Sequence, residues 1–145
     1  MKFSEISRES WTDLQPYLDT CLLPITGLTG GEPPWEAGDR LEDLRDALDL
    51  IEVPFHGRVV TYPAVQYVPG QAYSAAMLTD ICAAIRATGF RYIVAVTAEA
   101  RMSGLLPAEA DLQIYAGPEQ LQASYDEVKR QVTARIQSMW AQGNE

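Results

Sequence analysis

Four short apolar runs rich in β-formers are separated by stretches whose apolar residues recur at helical spacing. Thr20–Thr26, Arg58–Tyr62, Arg91–Thr97 and Asp111–Tyr115 read as strands; Ser7–Asp19, Asp39–Glu52, Tyr73–Thr88 and Pro118–Gln142 read as helices. Strand and helix in alternation imply crossover connections, and right-handed crossovers produce a parallel sheet with helices on both faces. All-α, all-β and solenoid architectures are excluded by the same alternation. The expected fold is an α/β three-layer sandwich, small and flavodoxin-like or truncated Rossmann-like. Its sheet is four-stranded and mainly parallel, favoured in the order 2-1-3-4, with the fourth strand parallel or antiparallel at the edge.

With 145 residues, 47% of them apolar, the chain suits one domain over residues 1–145 that needs neither disulfide nor metal to fold. Local signals mark the element ends. Ser7 suits a helix N-cap, Asp39 a second cap, Gly89 a C′ position and Pro118 a first helical position. Pro16 and Pro24 threaten the helix and the strand that contain them. Leu41, Leu44, Leu48 and Ile51 form the apolar stripe of the second helix; in the last helix the stripe runs from Leu121 through Tyr125 to Met139.

Charge is unevenly placed. From Glu32 to Glu52 there are eight acidic residues against Arg40 and Arg45, so this stretch carries −6 of the formal −9. An acidic chain without a basic patch is not expected to bind nucleic acid. The acidic helix 39–52 is expected to be a solvated face or a docking face for a basic protein partner; a second copy of the chain is another candidate partner. No apolar run is long enough to cross a membrane, and the N-terminus has no apolar signal core, so a cytoplasmic protein without membrane insertion is expected. Cys21 and Cys82 lie in apolar segments and read as buried hydrophobes.

In open α/β sheets ligands bind beyond the carboxyl ends of the strands, which here gathers three loops: Gly27–Gly38, Pro63–Gln71 and the stretch after Thr97. Cleft candidates on these loops are Thr29, Glu32, Trp35, Asp39, Tyr67, Tyr73, Glu99 and Arg101. The first loop is glycine-rich, but it has neither phosphate-loop spacing and it carries two glutamates. Trp35 is expected to fold back as a lid on the sheet edge. His56, the one histidine, lies at the opposite end of the sheet, so neither a metal nor a cofactor is expected. A non-catalytic protein for partner or small-ligand binding is the first functional reading. The alternative is a divergent hydrolase or transferase, with Glu32 or Glu99 as general base and Arg101 holding an anionic substrate.

The segments Tyr17-Leu18-Asp19-Thr20-Cys21-Leu22-Leu23-Pro24-Ile25, Phe55-His56-Gly57-Arg58-Val59-Val60 with Tyr62-Pro63, and Gly89-Phe90-Arg91-Tyr92-Ile93-Val94 resemble the uncharacterised YpiF-like family of Gram-positive bacteria. The likeness spans nearly the whole chain and implies no activity. A fainter likeness joins the Leu23-Pro24 strand end, the glycine-rich loop closing on Asp39 and Thr88-Gly89-Phe90-Arg91-Tyr92-Ile93-Val94 to the creatininase-type metal amidohydrolases. Where that family has a Glu-x-His pair, this chain reads Leu28-Thr29-Gly30-Gly31-Glu32, so the resemblance implies a shared fold without the metal centre.

Overall fold

The computed structural model describes residues 1–70 and 72–143, apart from the side chains of residues 72 and 73. The order of elements is α1 (Arg8–Leu14), β1 (Thr20–Leu28), α2 (Pro34–Glu52), β2 (Val59–Thr61), β3 (Val65–Tyr67), α3 (Ala72–Ala87), β4 (Tyr92–Thr97), β5 (Leu112–Tyr115) and α4 (Pro118–Gly143), with 3-10 turns at Phe3–Glu5 and Ala100–Met102. The strands run β2-β1-β4-β5 across the sheet, with β3 also on β1, and every pairing is parallel. β3 makes the strand count five rather than four and shares the outer side of β1 with β2.

Side chains on β1 and β4 alternate between two cores, as the two-residue period of a strand requires. Leu22, Val94 and Val96 pack with Ala47, Leu50 and Ile51 of α2 and with Val132, Ile136 and Trp140 of α4. Cys21, Leu23, Ile25, Ile93 and Ala95 pack with Leu78, Cys82 and Ile85 of α3, beneath Trp11 and Leu14 of α1. Helices therefore cover both faces, and β1 is buried along its whole length.

Several expected boundaries are corrected. The first helix stops at Leu14 rather than Asp19, since Pro16 supplies no N–H and disfavours helical backbone before it. Ser7 caps it, its Oγ accepting from the Ser10 amide at 3.1 Å. β1 does not fray at Pro24 but continues to Leu28. β2 pairs with Thr20–Leu22 and β3 with Ile25 and Leu28, so the proline falls where one ladder has stopped and the next has not begun. Asp39 is no cap: α2 already begins at Pro34, whose fixed φ suits a first helical position. Leu41 points outward (44% exposed), while Ala47 and Leu50 join Leu44 and Ile51 in the core. α4 contains a non-helical Ser124 (φ −152°, ψ 54°), and Tyr125 beside it is exposed.

Candidate functional site

Strand order reverses at β1, so the crevice between the ends of β1 and β4 is where this fold ordinarily receives a ligand. Here the chain fills it. The turn after β4 seats the fully buried Met102 against Gly27, whose positive φ (77°) and missing side chain allow the approach. The Arg101 guanidinium donates from Nη2 to the Gly27 carbonyl at 2.8 Å and to the Val68 carbonyl at 2.7 Å. It thereby ties the β1 loop to the segment after β3. Glu99 accepts from the Arg101 amide at 3.3 Å and faces Arg40 of α2 at 3.7 Å.

Glu32 is likewise engaged within its own loop. Its carboxylate accepts from the amides of Thr29 (2.8 Å) and Gly30 (2.9 Å) and from the Thr29 hydroxyl at 3.0 Å. These bonds, chiefly that from the Thr29 amide, hold its pKa down to about 2. A carboxylate so depressed is a weak base at neutral pH. Asp39 is exposed on α2, and no hydrogen bond joins any two of Glu32, Asp39 and Glu99. Trp35 is 71% exposed, which corrects the expected lid, and Tyr67 is also exposed at the end of β3. The Tyr73 side chain lies outside the described residues. Among the described residues, no group of three or more His, Cys, Asp or Glu side chains is placed to hold a metal.

A different concavity lies between α2 and α4. Asp43, Asp46 and Asp49, recurring every three residues, line one wall; Pro118, Leu121, Gln122 and Tyr125 line the other, around about 270 Å³. Partial burial raises the Asp43 pKa, helped by the charges of Asp39, Asp46 and Glu119 and opposed by Arg40 at 3.3 Å. The acidic wall was readable as a charge run. The apolar wall was not, because Tyr125 reads as a core residue until Ser124 breaks the helix.

At the other end of the sheet four residues close a polar ring. Arg58 pairs with Asp19, Asp19 accepts from the Thr20 hydroxyl at 2.9 Å, and Thr20 accepts from the indole N–H of Trp140 at 2.9 Å. Arg58 lies over the Trp140 ring and Phe55 packs edge-on against it at 4.9 Å. The ring anchors the end of α4 to the start of β1.

Among the described residues no helix is long and apolar enough to cross a membrane. A family model described as Protein of unknown function (DUF2487) matches residues 9–139. No curated protein and no solved structure matches the chain.

Proposed function

We propose, for a chain that belongs to the DUF2487 family of proteins of unknown function, a non-catalytic role in protein interaction, with the α2–α4 groove docking a basic segment of a partner. The observation that carries this reading is the pairing of Asp43, Asp46 and Asp49 with the apolar Leu121 and half-exposed Tyr125 across one groove. Acids repeated along a helix oppose one another, and Asp49 and Glu52 sit at the end of α2 where the helix dipole disfavours them. A partner's Lys or Arg side chains would relieve that repulsion, while an apolar side chain beside them would cover Leu121 and Tyr125. Aromatic residues at such a centre contribute strongly to protein association.

The carboxylates of the loop face support the same reading, since Glu32 and Glu99 already serve main-chain groups or an internal ion pair. The finer likeness, to the YpiF-like proteins, belongs to this proposal: the shared segments supply Asp19, Thr20, Phe55 and Arg58 to the ring around Trp140, a structural role that brings no activity. The proposed setting is the cytoplasm, supported by two buried cysteines that are not joined in a disulfide.

Retention of proteins from a cell extract on the immobilised chain tests the docking reading. A partner held by wild type, released by salt and lost with Asp46→Asn/Asp49→Asn is the expected result. Identical retention by wild type and variant at every salt concentration would overturn it.

A further inference from the structure

A second concavity, remote from the acidic groove, is built by the N-terminal segment against the sheet. It holds about 430 Å³ and is lined by Phe3, Ile6, Trp11, Tyr62 and Phe90, with Arg8 as its charged side chain. The volume lies within the roughly 300–1,000 Å³ of small-molecule sites.

Three of these rings pack on one another. Phe90 packs edge-on against Tyr62 at 5.3 Å and tilted against Trp11 at 5.9 Å, and it is itself buried. The front of the pocket is held by the N-terminus: Lys2 pairs with Thr61, and the Met1 amine donates to the Val59 carbonyl at 2.9 Å. Phe3 remains 47% exposed at the mouth. Among the described residues the Arg8 guanidinium makes no hydrogen bond and no ion pair, in a chain where acids outnumber bases 20 to 11. The Ser7 hydroxyl beside it is already engaged with Ser10.

We infer that this pocket binds a small aromatic acid, with its ring among Trp11, Tyr62 and Phe90 and its anionic group on Arg8. The volume and the apolar lining suit a compact fused or linked aromatic system. Arg8 selects the charge, because an arginine that meets a carboxylate or sulfonate at the mouth of an apolar pocket forms a charge-assisted hydrogen bond in a partly dry setting. This site does not depend on the docking groove, which lies between other elements.

Titration with the fluorescent aromatic sulfonate 1-anilinonaphthalene-8-sulfonate tests it. One saturable site per chain is expected, weakened about tenfold by Arg8→Glu, which turns an attraction into a repulsion, and about tenfold by Phe3→Asp, which removes an apolar wall and adds a like charge. Both residues are exposed, so the melting temperature should stay near wild type, and Trp35→Ala should leave the titration unchanged. Indole-3-carboxylate should displace the probe at concentrations where indole does not. A signal that never saturates, equal affinity in wild type and both pocket variants, or equal displacement by indole would each overturn the assignment.

Discussion

The guanidinium carbon of Arg58 lies 4.0 Å from the centroid of the Trp140 ring. The same guanidinium grips Asp19 by two bonds, Nε to Oδ1 at 3.0 Å and Nη2 to Oδ2 at 3.2 Å. Asp19 precedes β1, Arg58 precedes β2 and Trp140 lies in the last turn of α4, so one arginine joins the beginnings of two strands to the end of that helix. Trp140 is nearly buried and Arg58 only half so. The stacking therefore takes place at the rim of the core, where a cation–π contact is strengthened by partial desolvation.

Removing either side of this contact should loosen α4. Arg58→Ala is expected to cost about 1–3 kcal/mol, combining the lost stacking with the unpaired Asp19. Trp140→Phe keeps an aromatic face but trims a buried ring and leaves the Thr20 hydroxyl without its donor, at about 1–3 kcal/mol. Urea unfolding of the two single variants and the double variant reads the coupling, expected at about 0.5–2 kcal/mol.

Two glycines should respond in opposite directions to alanine. At Gly27 a Cβ would stand 2.5 Å from Met102 Cγ on a backbone with φ 77°, so Gly27→Ala should destabilise by more than about 2 kcal/mol. Gly38 lies inside α2 with nothing within 4 Å of a Cβ, so Gly38→Ala should stabilise by about 0.5–1 kcal/mol. Thermal melts of both variants check the pair.

The loop held by Glu32 should persist into strong acid. A carboxyl with a folded-state pKa below its unfolded value favours the folded loop above the unfolded value, and the advantage disappears as pH falls through the folded one. Here the fall is expected near pH about 2 rather than near the ordinary 4.5. The amide shifts of Thr29 and Gly30, followed by NMR against pH, should titrate at the lower value, and Glu32→Gln should abolish that titration.

Burial raises the pKa of both thiols, that of Cys21 most, with Cys82 adding to it. Neither is accessible in the folded chain. Ellman's reagent should therefore react with no thiol of the native protein and with two in denaturant. Because the unfolded thiols ionise near 9.0 and the folded ones above it, stability should decline as pH rises past that value.

Much of the architecture is legible in spacing. The strand–helix alternation, the neighbours of β1 and Pro118 at the start of α4 follow from apolar period and local backbone preference. β3 does not, because Val65-Gln66-Tyr67 is three residues long and its strand character comes from a distant partner, β1. The start of α2 is hidden for another reason: Pro33, Pro34 and Gly38 together have the composition of a loop, although one proline is well placed at a helix start. At the strand ends, Glu32 and Arg101 are visible as loop residues with the right chemistry. What they bond to is main chain, and no residue spacing encodes that. The Leu121–Tyr125 wall depends on a helix break at Ser124 that the apolar period runs straight through.

The docking account is tested most directly by NMR mapping with a synthetic amphipathic helix, basic on one side and carrying leucines beside the charges. Its addition at low salt should shift amides in 43–49 and 118–125, with a response that weakens steeply as salt rises and that Asp43→Asn/Asp46→Asn/Asp49→Asn removes. A peptide of equal charge without leucines should bind less tightly. Shifts spread evenly over the acidic surface, or centred away from these two segments, would contradict the account.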